Sequence, residues 1–228
     1  MDAFMSASSV IDAVLEKLPA TLPQTAGVFL DKFWPFLLLC FALSVAKRFW
    51  RSAKVKGRVG EAIVSVGVLN HLDPKTHRVF HDLVITRPDG KGTTQIDHVV
   101  VSLFGIFVIE TKNYQGWIFG DANARSWTQT IYGRKSRFQN PLHQNALHLR
   151  ALAQETGLPA SVFHNLVFFA GGATLKTPLP PQVMTGGLVS YIRGHQVELL
   201  TAEEVAQVIR WCEAVKAERR VHVVSARK

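Results

Sequence analysis

Cysteine, acid and long apolar runs are the scarce ingredients of this 228-residue chain. Its two cysteines, Cys40 and Cys212, are far apart and neither belongs to a C-x-x-C pair. That argues against a disulfide framework and a cysteine-based zinc site, and makes a reducing compartment the default. Acids number 17 against 26 lysines and arginines, so a carboxylate in apolar surroundings calls for an explanation. Low-complexity tracts and internal repeats are missing too. The opening MDAFMSASSVIDAVLEK has no basic start, which predicts that no secretory signal is cleaved from it. What is present is globular in character, with 47% hydrophobic and 19% charged residues.

The net charge of +9 suggests nucleic acid, but its placement complicates that reading. Lys47, Arg48, Arg51, Lys54, Lys56 and Arg58 supply six positives with no acid between them, leaving +3 for the rest of the chain. Such a cluster sets membrane orientation and attracts anionic lipid as readily as it binds phosphates. It directly follows Phe33–Ala46, an uncharged apolar run of 14 residues bracketed by Trp34 and Trp50. A span needs about 20 residues, and extension back to Gly27 reaches that length at the expense of Asp31 and Lys32. Residues 27–46 are expected to form a single membrane anchor, with the positive side and everything after it in the cytoplasm. The alternative is a buried core helix.

The densest chemistry lies in Thr94–Lys112, TQIDHVVVSLFGIFVIETK. Two Val- and Ile-rich runs flank a break at Ser102–Gly105, the pattern of an antiparallel hairpin. With the turn centred between Leu103 and Phe104, opposed residues have numbers summing to 207. Asp97 then faces Glu110, and Gln95 faces Lys112. Directly opposed carboxylates destabilise a sheet unless something lies between them. A divalent cation removes that repulsion, and the lysine completes a site for phosphodiester hydrolysis. The alternative for Glu110 and Lys112 is a same-face surface ion pair worth about 0–1 kcal/mol, but Phe107, Val108 and Ile109 make the strand look interior.

D-x(n)-E-x-K on a hairpin resembles the PD-(D/E)XK nuclease core, and the surroundings resemble the nuclease-related domain, NERD. The matching pieces are KGRVGE, HDL (His81–Leu83), TQIDHVVV, GIFVIETKN, GWIFG and NPLHQN, in order over about Lys56–Gln154. The resemblance implies a mixed α/β fold of restriction-endonuclease type, with an antiparallel hairpin core flanked by helices. It also implies nuclease chemistry.

By that resemblance Glu61 joins Asp97 and Glu110 around one or two magnesium ions, or manganese. On its own, Glu61 also suits the first turn of a helix, where the dipole favours it. Lys112 would orient or deprotonate water or stabilise developing charge, and Gln95 would hydrogen-bond water or phosphate. Gln144 faces the site in the family's arrangement, with a capping or surface role as the alternative. Lys56, Arg58, Asn113 and Gln144 are the expected contacts to nucleic acid, DNA foremost. Tyr114, Trp117 and Trp127 either stack on bases or fill a core. His98 points away from Asp97 and reads as a core or supporting histidine. His143 and His148 share a helix but have no partner ligands in sequence.

Beyond the motifs, Gly57–Leu72 reads as a helix, Val79–Thr86 as a strand paired with Thr94–Val101, and Trp117–Phe119 as an extension of that sheet. A helix capped by Asn140 with Pro141 at its first position follows. Leu166–Ala170 and Leu188–Ile192 read as strands, and Thr201-x-x-Glu204 is a capping box for a last helix. Strands and helices alternating late in the chain predict parallel additions to the hairpin sheet. The expected organisation is an N-terminal segment, 1–52, and a nuclease-like domain, 53–228. Three functions compete: a membrane-tethered magnesium-dependent nuclease, a non-catalytic nucleic-acid or protein interaction module on the same fold, and a membrane-surface regulatory protein in which the basic cluster does the binding.

Overall fold

A computed structural model of the chain describes residues 67–225, with side chains to residue 218, and six helical positions before them, 36, 39–41, 43 and 44. The chain divides into two compact units, 1–52 and 53–228. In the first, Phe36, Leu39, Phe41 and Leu43 are helical and each more than half exposed. The rest of the expected anchor lies outside the described residues. Among the described residues no helix is long and apolar enough to cross a membrane.

The second unit is built on two sheets. The larger has the order β1 (Arg78–Thr86), β2 (Thr93–Ser102), β3 (Gly105–Lys112), β7 (Phe163–Phe169) and β9 (Val183–Met184). β1, β2 and β3 are antiparallel, whereas β7 and β9 add parallel, as the late alternation of elements predicts. The β2–β3 register runs His98↔Ile109 to Ser102↔Gly105, and every pair sums to 207. Ser102 Oγ closes the turn by donating to the Gly105 carbonyl and accepting from the Phe104 amide. Gly105 has φ +122°, and a Cβ there would lie 2.8 Å from the Val162 carbonyl. Only glycine fits that backbone and that gap.

Alternation along β2 and β3 divides the core. Val99, Val101, Ile106 and Val108 pack against α1 (Pro141–Thr156) and α3 (Ala202–Ser225). Val100, Phe107 and Ile109 pack on the other side against Leu69, Leu72 and α2 (Leu188–Arg193). Burying both faces explains why β3 reads as a continuous apolar run instead of an alternating one.

The smaller sheet has the order β6 (Arg134–Gln139), β5 (Ser126–Ile131), β4 (Gly116–Phe119) and β8 (Ala173–Leu175). Trp117–Phe119 therefore belongs to a separate sheet and does not extend the first. Its inner face, with Ile118 and Trp127, joins Leu142, Val167 and Phe169 in a third apolar cluster. Leu188–Ile192, expected as a strand, is helical. Its buried residues Leu188 and Ile192 are four apart, one helical turn, and its start follows Gly187 at φ +73°. Only the end of the expected Gly57–Leu72 helix is described, and there Leu69–His71 forms a 3-10 turn.

Two asparagines of the NPLHQN segment tie α1 to the sheets. Asn140 caps α1 through the Leu142 amide and donates to the carbonyls of Asp121, Ala122 and Ala124. Asn145 is fully buried, and its Nδ2 donates to the carbonyls of Val108 on β3 and Leu166 on β7, and to Asn165 Oδ1. Removing one donor strands several buried acceptors. Asn145→Ala is therefore expected to destabilise the folded protein by about 2–4 kcal/mol. Equilibrium urea unfolding checks this, and a loss below about 0.5 kcal/mol would show that the bridge is dispensable.

Candidate active site

The acids lie where the hairpin stops being a regular ladder. Backbone pairing of β2 with β3 ends at His98↔Ile109, and the next position in the same register sets Asp97 opposite Glu110. Here the Thr111 amide donates to Asp97 Oδ2 at 2.8 Å, so a side chain occupies the gap between the strands. The β1–β2 ladder is interrupted at the same level. His81↔His98 and Leu83↔Ile96 pair on either side, and Asp82 between them has φ +56°. Asp82, Asp97 and Glu110 thus form a row across three strands.

Glu110 is 3% exposed, inside a β3 buried as far as Thr111. Its Oε1 accepts from Lys112 Nζ at 2.5 Å and from Gln144 Nε2 at 2.8 Å. Gln144 Oε1 in turn accepts from Lys112 Nζ at 3.0 Å, which closes a three-membered clamp. The strand period places Glu110 and Lys112 on one face, and the first turn of α1 brings Gln144 over them. One helical turn further on, buried His148 places Nδ1 3.6 Å from Glu110 Oε2. A surface ion pair between Glu110 and Lys112 is thereby ruled out, because the carboxylate is inside the protein.

Burial, then the charge of Glu110, push the Asp97 carboxyl up to about 7, with Asp82 adding to the effect. The Thr111 amide and Lys112 pull in the opposite direction. His148 is held down to about 4 by burial and by Lys112, so its contact with Glu110 is not an ion pair at neutral pH. His98, buried beneath the β1–β2 ladder, is held down to about 3, chiefly by burial and also by His81, whose Nδ1 is 2.8 Å away. It belongs to the core, as its position opposite to Asp97 suggests.

Two adjacent carboxylates that resist joint ionisation, with hard oxygen donors, suit a divalent cation of the magnesium class. Among the described residues no three His, Cys, Asp or Glu side chains converge as a ready-made ligand set. Asp97 and Glu110 would therefore share such an ion with water, phosphate or Glu61, which lies outside the described residues, as do Lys56 and Arg58.

Asp97, Glu110, Lys112 and Gln144 come together as the sequence suggests. Gln95 does not reach Lys112: the ladder has opened, and its Nε2 donates to Asp82 Oδ1 at 2.9 Å. Asn113 is partly buried in the β3–β4 link, where a Cβ on Gly171 would come within 2.6 Å of its Oδ1. Two further residues of the site are not assigned to it by the sequence. Asp82 is the centre of the HDL segment, and His148 lies four residues after Gln144 on the same helix.

The raised Asp97 value has a consequence for stability. Unfolded, this carboxyl ionises near pH 4, whereas in the fold it keeps its proton to about pH 7. Its contribution to stability is full below pH 4 and is lost as the pH rises to 7. Asp97→Asn keeps an acceptor for Thr111 and removes the titration. In EDTA its melting temperature at pH 8 is expected to exceed wild type by roughly several degrees, with little difference at pH 4. A lower melting temperature at pH 8 would contradict the raised value.

No solved structure matches the chain. An uncharacterized protein of Bacillus anthracis is 50% identical over 99 residues, which are 43% of this chain and 46% of that protein. The chain thus spans under half the length of this curated relative. The nuclease-related domain family matches residues 56–170, a stretch that contains the acid row, the lysine and the α1 clamp. With half the chain matched across the hairpin and the helix that covers it, this protein belongs to the nuclease-related domain family.

Proposed function

We propose that this protein is a metal-dependent nuclease that hydrolyses phosphodiester bonds in nucleic acid, DNA foremost, tethered at the inner membrane with its nuclease-like unit in the cytoplasm. The observation that carries the catalytic part is the buried Glu110 carboxylate, clamped by Lys112 and Gln144 beside an Asp97 that burial and repulsion keep from ionising freely. A purely structural sheet gains nothing from opposed acids at the end of its central hairpin. The mixed sheet agrees with the PD-(D/E)XK arrangement.

In this reading Asp97 and Glu110 hold the ion, and Glu61 completes the set. The chemistry that magnesium, or manganese, supplies when bound is polarisation of the phosphate and a lower pKa for a bound water. Lys112 already commits two of its hydrogens to Glu110 and Gln144, which leaves a third for a phosphoryl oxygen or the attacking water. Gln144 is a positioning residue, because it fixes the direction of the ammonium. Asp82 holds Gln95 beside Asp97 and raises the local negative charge that a cation would neutralise.

The tether rests on two features: exposed helical Phe36, Leu39, Phe41 and Leu43, and the basic cluster that follows at Lys47–Arg58. That cluster also suits anionic lipid.

Plasmid and single-stranded DNA incubated with magnesium, manganese or EDTA test the activity. Cutting should require metal, and Asp97→Ala and Lys112→Ala should each lower it roughly 100-fold or more. Gln144→Ala should lose about tenfold, chiefly in kcat. A folded wild-type protein that neither cuts nor binds magnesium would favour the interaction module. Separately, the full chain is expected in the membrane fraction after alkaline carbonate washing, and Leu39→Arg with Phe41→Arg should release it. Recovery of wild type in the soluble fraction would remove the tether.

A further inference from the structure

The outer face of the smaller sheet has no part in the clamp, yet its composition is unusual. Directly opposed residues in a sheet share a face. The register Trp117↔Thr130↔Lys135 and Phe119↔Thr128↔Arg137 therefore places two aromatics, two threonines and two cations on one surface. Ile118 and Trp127, on the other face, are fully buried in the apolar cluster beneath. Trp117 is 52% exposed and Phe119 37%. Neither belongs to that apolar cluster. Lys176, just past β8, sits over the Trp117 ring at 4.8 Å from its centroid. β6 itself reads RKSRFQ, with Arg134, Lys135 and Arg137 all exposed and no acid in the strand. Tyr132 is fully exposed at the β5–β6 tip.

We propose that this face is a binding platform for single-stranded nucleic acid, with bases stacking on Trp117 and Phe119 and phosphates running past Lys135, Arg137 and Lys176. Exposed aromatics interleaved with cations are what an unpaired strand requires, because its bases offer free π-faces and its backbone one charge per nucleotide. A duplex hides its bases and would use the cations alone. Thr128 and Thr130 lie between the aromatic and basic rows. β4 begins four residues after Lys112, so this sheet is joined to the strand of the clamp by a short link. The assignment of a substrate class rests on the nuclease reading, whereas the binding surface itself does not.

The test is fluorescence anisotropy of the full-length chain with a labelled 20-nucleotide oligothymidine, in EDTA, beside a duplex of equal length and anionic phosphatidylserine vesicles. Two double variants are compared with wild type: Trp117→Ala with Phe119→Ala, and Lys135→Gln with Arg137→Gln. All four positions are exposed, and circular dichroism verifies folding. The aromatic variant should bind the single strand about tenfold more weakly and the duplex almost unchanged. The basic variant should weaken both and lower the slope of log K against log salt by about 1.4 for the single strand. Single-strand binding unchanged in both variants would overturn the platform, as would vesicle binding without oligonucleotide binding. Cleavage by wild type that is lost in Asp97→Ala, read beside the binding data, separates the two readings. If wild type cuts and the surface variants bind normally, the platform fails and the nuclease stands. If nothing cuts but the surface variants lose binding, the nuclease fails and the platform stands.

Discussion

The bond from the Thr111 amide to the Asp97 carboxylate is the point on which the site turns. It lies where the β2–β3 ladder gives out, so a side chain takes a place that a backbone carbonyl holds elsewhere. Opening the ladder there brings an acid between two strands without leaving the amide unsatisfied. The same opening presses Asp97 toward Glu110 in a region that water scarcely reaches. Burial first, and then that proximity, raise the Asp97 value, and the proximity creates the need for a compensating cation.

Holding such a charge requires rigid surroundings, and the fold provides them from two directions. From below, β3 is buried on both faces between helices and cannot shift without disturbing two apolar clusters. From above, α1 is fixed at its start by Asn140 and in its second turn by Asn145, which bridges β3 and β7 through their carbonyls. Gln144 stands between these two anchors, so its amide meets Glu110 and Lys112 with little freedom. A buried ion pair of this kind contributes little net stability once desolvation is counted. Its value lies in orientation, since an ammonium held at two points can serve a third partner reproducibly.

The hairpin was legible because two apolar runs around a short break admit few registers, and the sum of 207 puts acids together. Asn140 and Pro141 announced α1 by capping chemistry, and the interior character of β3 announced the burial of Glu110. Strands β5 and β6 were not legible. RKSRFQ carries a single apolar anchor, Phe138, and an edge strand paired on one side has no periodic pattern to display. Leu188–Ile192 misled because Val, Tyr and Ile favour strands while the residues that are buried, Leu188 and Ile192, follow a helical spacing. Gln95 was placed on the correct strand, but its partner depended on a ladder that ends before reaching it.

The sequence by itself determined the chemistry of the centre: which acids oppose, which lysine shares their face, and where the following helix begins. Those follow from strand alternation, turn position and capping, all of which are local. Only the tertiary structure decided the long-range terms. It brought Asp82 into line with Asp97 and Glu110, set His148 beneath the clamp, and turned Gln95 toward β1. It also split the β4–β6 region into a second sheet with an aromatic and basic outer face. Each of these depends on contacts between segments distant in the chain, or on one left-handed residue interrupting a ladder, and neither leaves a periodic trace in sequence.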